Sequence, residues 1–238
     1  MKVYERQPYS GQLVFAAFSG SHQDAIAKGM KWRKEKNCQH WTVPYLPIDP
    51  EDVGRVYEAD VIRINSQSGK GGIGYILENQ FGIIMPPNMR ETVGYLVKNV
   101  SDNAHRELMP SEVYNVFEKT FINKQSPVSL KEAHYVQKDG IEADVTIEYN
   151  GEIINEKAHG NGRLNAVSVC MKKMLGIEYV LHTYTEHAME EKATSKAVSY
   201  VGIKDNNGKN FWGVGIATDI IDSSLKALVS AVNNMIED

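Results

Sequence analysis

The chain changes its hydrophobic period near residue 127. In "IEADVTIEY", Ile141, Ala143, Val145, Ile147 and Tyr149 alternate without a fault with Glu142, Asp144, Thr146 and Glu148. A period of two sends successive side chains to opposite faces, so this stretch predicts a strand with one buried face. Asn150-Gly151 follows, a dipeptide suited to the positive φ angles of a type I′ turn, and "GEIINEKA" is the expected antiparallel return. Gly160-Asn161-Gly162 then opens a helix with Leu164, Val167, Met171 and Met174 on one face. The same order recurs as strand "KAVSYVGIK", turn Asn207-Gly208, strand "KNFWGVGIA" and a helix with Ile221, Leu225, Leu228, Val232 and Met235 on one side. The two turns lie about 57 positions apart, as do Leu164 and Ile221, which is the mark of an internal duplication. With "SLKEAHYVQ" and "IEYVLHTYTEH" as third strands, two strand-strand-strand-helix units result, expected to share a two-fold-like sheet with helices on one side. A duplicate of this kind suits a ligand binder and a scaffold equally.

Before residue 127 the periodicity is helical. A capped helix is predicted over 21–36, with Ser19 or Ser21 as the cap and His22 in the first turn. Such a histidine is either a solvated polar residue or a functional one, and the pattern leaves both open. "WTVPYLPIDP" is a loop, because its three prolines forbid a regular helix. Helical spacing resumes in "EDVGRVYEADVIRI", and "NSQSGKGGIGYILEN" places a glycine-rich loop before another short helix. "PPNMRETVGYLVKNV" begins with prolines suited to a first turn. "PSEVYNVFEKTFI" carries Ser111 as its expected cap, with Val113, Phe117 and Phe121 on one stripe.

At 238 residues and 42% hydrophobic, the chain is long enough for two globular units. A net charge of −4, with Lys28, Lys31, Arg33, Lys34 and Lys36 offset by acids elsewhere, gives no footprint for nucleic acid. Cys38 and Cys170 are the only cysteines and form no C-x-x-C pair, which predicts a reducing compartment and a cytosolic protein. No apolar run has the length of a membrane span, and the opening "MKVYERQPYSG" lacks a signal-peptide core. Metal motifs are missing, and the five-residue spacing of His182 and His187 on a strand is expected to send them to opposite faces. "NSQSGKGG" fails the phosphate-loop spacing because Gly71 stands where the hydroxyl belongs, which leaves an anion nest or a plain turn. Gly160-Asn161-Gly162 before a helix N-terminus can cradle a carboxylate with free N–H groups.

"RQPYSGQLVFAAFSGSHQDAI", "VPYLPIDPEDVGRVYEADVIRINSQSGKGG", "GNGRLNA", "YTEHAM" and "WGVGIATDIIDSSLKALVSAVN" together resemble the C-terminal portion of the 2-isopropylmalate synthase family, over essentially the whole chain. That family condenses acetyl-CoA with 2-oxoisovalerate in leucine synthesis and is feedback-inhibited by leucine. The resemblance implies an α+β protein: helical linker subdomains at 1–65 and 66–126, then a duplicated βββα regulatory domain at 127–238 with an internal pseudo-two-fold. It implies that the catalytic (β/α)8 barrel, with its divalent zinc, magnesium or manganese, is absent from this sequence, so no cofactor is expected here and the fragment alone should be inactive. The linker motifs place catalytic helpers at His22 and Tyr45, lent to the barrel of the same or a partner subunit. Leucine is expected at a homodimer interface. Gly160, Asn161 and Gly162 would meet its carboxylate, with Leu164, Tyr184 and Ala188 beside it, while Asp219 fits a helix cap or an ammonium partner. Arg163 and Asn165 depart from the family's usual Pro and Asp or Ala. Related readings are the regulatory part of a citramalate or homocitrate synthase, and a stand-alone amino-acid sensor without catalysis.

Overall fold

The computed structural model describes residues 7, 8, 11, 14, 15, 17, 20–55, 70–106, 108–189 and 195–238. The chain divides into two compact units, Met1–Val116 and Phe117–Asp238.

In the first unit α1 runs over Gly20–Lys36, so His22 does lie in a first helical turn; Ser19, one of its two expected caps, falls outside the described residues. The proline loop folds back on α1 around a small core of Phe15, Ile26, Val43 and Leu46, with Met30 and Trp41 packed against it. Gly29 makes this approach possible, since a Cβ there would stand 2.7 Å from Pro44 Cδ. The loop is further tied by the Trp41 indole N–H donating to Leu46 O at 2.8 Å and by an Arg33–Asp49 ion pair at 3.0 Å. Helical spacing from Glu51 predicts a helix; among the described residues of that stretch a 3-10 turn forms over Pro50–Val53. Gly54 ends it at φ 68, and residues 56–64 lie outside the described residues.

The described end of the expected glycine-rich loop, residues 70–72, is helical. Residues 65–69 lie outside the described residues, but from Lys70 the chain is already α2, Lys70–Phe81. Burial of Ile73, Ile76 and Leu77 on one face outweighs the low helix propensity of Gly71, Gly72 and Gly74. α3 spans Pro87–Ala104 and buries Met89, Val93 and Val97. α4, Pro110–Phe121, contains the division between the units. Ser111 is inside α4 rather than its cap. The Glu112 carboxylate instead accepts the Met109 N–H at 2.9 Å and the Arg106 guanidinium at 2.8 Å, one half of a capping box.

The second unit is βββα twice over. β1 (Val128–Gln137), β2 (Ile141–Tyr149) and β3 (Glu152–Gly160) form one antiparallel meander, followed by α5, Arg163–Leu175. β4 (Val180–Ala188), β5 (Ala197–Lys204) and β6 (Asn210–Ala217) form another, followed by α6, Ile220–Ile236. The expectation of one shared sheet is corrected: the two three-stranded sheets are not hydrogen-bonded to each other. A common apolar core joins them, in which Val145, Ile147, Val167, Met171, Val201, Ile203, Leu228 and Val232 are all buried. Each such side chain contributes about 1.5–3 kcal/mol by leaving water.

The first turn is type I′-like, with Asn150 at φ 52 and Gly151 at φ 85. The second is not, because Asp205 organises loop 205–209 by accepting the N–H groups of Asn207 and Lys209, and only Gly208 takes a positive φ. α6 lies unusually close to its sheet. A Cβ on Gly215 would fall 1.7 Å from Ser223 O, and one on Gly213 would fall 2.1 Å from Ala227 O. β6 is a sheet edge, and its backbone is occupied by side chains as well as by neighbours: the Asn123 amide exchanges bonds with the N–H and C=O of Ile216, and Asn234 donates to Trp212 O. His182 and His187 share a face, contrary to their spacing. A register shift between Leu181 and Thr183 changes the alternation, so His182 meets the Trp212 ring at 5.3 Å and His187 stacks on Tyr200 at 5.6 Å.

Candidate functional site

In the first unit the two motif residues predicted as catalytic helpers are adjacent. The His22 and Tyr45 rings stack with centroids 4.0 Å apart and planes 24° from parallel. Both are exposed, Tyr45 by 61%. Tyr45 sits at φ 63, a left-handed conformation that a bulky residue adopts only when its surroundings impose it. Those surroundings are the packed Val43 and Leu46 on either side and the contact of the loop with Gly29. An imidazole and a phenol held side by side and open to solvent can accept, donate or relay a proton to a group placed against them.

The second unit holds the predicted effector residues in two groups. Gly160 ends β3 hard against the start of α5, where a Cβ would lie 2.5 Å from Ala166 N. Asn165 turns its Oδ1 back to accept the Asn161 N–H at 3.2 Å, and Gly162 occupies the N-cap position with no side chain to cap it. The first-turn N–H groups of α5, beside Leu164, are therefore left without a side-chain acceptor from the cap. Arg163 turns onto the Tyr135 ring at 5.6 Å. Asp219, by contrast, caps α6 by accepting the Asp222 N–H at 2.9 Å.

Tyr184 and Ala188 belong to the other group, on the β4 face that turns toward α6. The Tyr184 hydroxyl bonds the Glu186 carboxylate and lies 2.7 Å from Ser224 Oγ on α6. Burial and the Glu186 carboxylate push its phenol above the ordinary range. Behind it, buried Ser199 and Ser223 meet at 2.7 Å. A cleft of about 330 Å³ opens alongside, lined by Glu186, His187, Ala188, Lys196, Ala197 and Ile220 among others. None of Gly160–Leu164 lines it. Glu186, Ser199 and Ser224 carried no sequence signal, because only the pairing of β4 with β5 and the seat of α6 bring them together. Among the described residues no three His, Cys, Asp or Glu side chains gather as a metal-holding group, and no helix is long and apolar enough to cross a membrane. The described residues therefore gather no donor set for the divalent metal that the family resemblance places in the barrel.

Fold and site together define the class: an α+β chain in which a helical unit with a surface His–Tyr pair leads into a duplicated βββα domain with a cleft beside β4. Residues 107–236 match the family described as the LeuA allosteric (dimerisation) domain, and residues 12–78 match the alpha-isopropylmalate synthase, post-catalytic domain-like family. The chain belongs to the LeuA allosteric (dimerisation) domain family. It is 55% identical over 238 residues to a 2-isopropylmalate synthase of Desulfitobacterium hafniense, covering all of this chain and 43% of that protein. It is 50% identical over 248 residues to the 2-isopropylmalate synthase of Helicobacter hepaticus, covering 99% of this chain and 44% of the other, and 44% identical over 242 residues to that of Clostridium acetobutylicum, covering 98% and 43%. The chain thus spans less than half the length of these relatives.

Proposed function

We propose that this chain is the linker and leucine-sensing part of a cytosolic 2-isopropylmalate synthase, the acyltransferase that joins acetyl-CoA to 2-oxoisovalerate. The observation that carries the reading is the likeness to 2-isopropylmalate synthases along the chain's whole length. On this reading 1–65 and 66–126 are linker subdomains and 127–238 is the effector-binding domain of a homodimer. Condensation itself belongs to a barrel domain that binds the divalent metal.

His22 and Tyr45 are this chain's contribution to that chemistry. Their stacked rings and open faces suit a proton relay presented to a barrel, and Tyr45's imposed backbone supports a role beyond packing. Leucine is the effector. The uncapped start of α5 at Gly160, Asn161 and Gly162, with Leu164, suits its carboxylate, and Tyr184 and Ala188 suit its remaining groups. None of Gly160–Leu164 lines the cleft that Ala188 lines, which fits a site completed across a dimer.

The test is His22→Ala in the enzyme that includes the barrel, assayed by CoA release. Because His22 is exposed, the fold should be unaffected while turnover falls by about a hundredfold or more. Unchanged turnover would remove the histidine from the reaction.

A further inference from the structure

Tyr45 follows Pro44 in a turn over 43–46, at φ 63. Proline followed by a residue of positive φ is the plan of a type II turn, where that second residue is ordinarily glycine or asparagine. A tyrosine there opposes its own conformation, so its surroundings must hold it. Val43 and Leu46, one on each side of Pro44 and Tyr45, are buried with Ile26 of α1. The Trp41 indole N–H donates to Leu46 O at 2.8 Å and so closes the loop around the turn. The Arg33 guanidinium lies 4.8 Å from the centre of the Trp41 ring and pairs with buried Asp49 at 3.0 Å, which ties the loop to α1 on both sides of Tyr45. α1 also carries His22, so the seat of the loop on this helix sets where the phenol meets the imidazole.

We propose that Trp41 is a positioning residue for Tyr45: its indole N–H, through Leu46 O, holds the turn in the conformation that stacks the Tyr45 phenol on His22. The inference rests on the reading of His22 and Tyr45 as catalytic helpers and adds to it the residue that aligns them. Apolar burial of Val43 and Leu46 is non-directional, so it fixes the depth of the loop more than its rotation. A hydrogen bond needs its donor and acceptor aligned, and this one is anchored on the residue next to Tyr45. Pro44 and Pro47 bring no backbone N–H to the loop. Among the described residues the Trp41 bond is also the one side-chain hydrogen bond that residues 41–48 make. Its loss frees the turn to relax toward a conformation that suits tyrosine better, which carries the phenol off the imidazole.

The experiment replaces Trp41 with benzothienylalanine, which keeps the two-ring shape and puts sulfur in place of the N–H. Trp41→Phe, which keeps a ring under Arg33, is a second variant without the donor. In proton NMR of this chain the stacked phenol should shift the His22 ring protons upfield, measured against Tyr45→Ala, and both Trp41 variants should lose most of that shift. In the enzyme that includes the barrel, assayed by CoA release, both should lower kcat by about tenfold or more while KM for acetyl-CoA and for 2-oxoisovalerate stays within about twofold. A merely structural role would reduce the folded fraction and leave the ring shift of the folded protein unchanged. If both variants keep the shift, or lose it with turnover unchanged in an enzyme that His22→Ala disables, the positioning role of Trp41 is overturned and the catalytic reading stands. If His22→Ala also leaves turnover unchanged, the catalytic reading falls, and the alignment by Trp41 falls with it.

Discussion

Asn233 gives the sharpest test of how the second unit is held. It is on α6 with 0% exposure, and its side-chain amide serves three backbone groups more than a hundred positions earlier in the chain. The Val128 N–H donates to its Oδ1 at 2.7 Å, while its Nδ2 donates to Val128 O at 2.8 Å and to Lys124 O at 3.0 Å. Asn233→Ala removes all three bonds and leaves those groups without a partner at the point where β1 begins. An orphaned buried polar group costs about 1–3 kcal/mol, so three of them, one only partly buried, sum to about 3–6 kcal/mol. Set against a domain stability of about 5–15 kcal/mol, this is a large fraction. The assay is urea unfolding followed by fluorine NMR of 5-fluorotryptophan-labelled protein, because Trp212 is the only tryptophan in the second unit and reports on it separately from Trp32 and Trp41. A loss below about 1 kcal/mol would refute the claim that this amide ties the strand to the helix.

Further predictions follow from close contacts and titrating groups. Gly215→Ala should unfold or severely destabilise the second unit, since its new Cβ would fall 1.7 Å from Ser223 O, whereas Gly208→Ala, with open space at φ 84, should cost only about 1 kcal/mol in the same unfolding assay. The Arg106 guanidinium and the Met109 N–H pull the Glu112 carboxyl down from its ordinary 4.5 to about 2. A group depressed in the folded state stabilises above its unfolded value and loses that contribution as pH falls from about 4.5 toward 2. A carboxyl carbon NMR titration should therefore place Glu112 near 2, and a midpoint near 4.5 would contradict the capping geometry. Burial, reinforced by Glu156, pushes the Cys170 thiol up to about 11, so iodoacetamide at pH 8 should label Cys38 and spare Cys170 in native protein, as mass spectrometry would show.

The elements that proved legible in the sequence are those whose signal is local. The unbroken alternation of β2 and the Asn150-Gly151 turn specify a hairpin by themselves, and the Val167–Met171 and Leu228–Val232 stripes specify the helices that cover the sheets. What escaped depends on contacts distant along the chain. One shared sheet is the simplest product of a duplication, yet the two meanders meet through side chains instead of backbone pairing, which no periodicity encodes. Strand parity sent His182 and His187 apart because a one-residue register shift leaves no mark in sequence. Ser111 looks like a cap, but Glu112 is one residue better placed to reach the Met109 N–H. Asn123, Asn233 and Asn234 belong to no local motif, and only the fold reveals them as partners for backbone that has no strand beside it. The stacking of His22 on Tyr45 was likewise invisible to spacing, and family likeness rather than pattern drew attention to both residues.

On the proposed reading the duplicated βββα domain senses a free amino acid. Thermal melting of this chain with and without L-leucine, followed at Trp212, tests it most directly. Leucine at about 100 times its dissociation constant should add roughly 2.7 kcal/mol to the second unit and raise its melting temperature, with D-leucine giving little effect. A second unit that is folded and melts at the same temperature in the presence of millimolar leucine would contradict it.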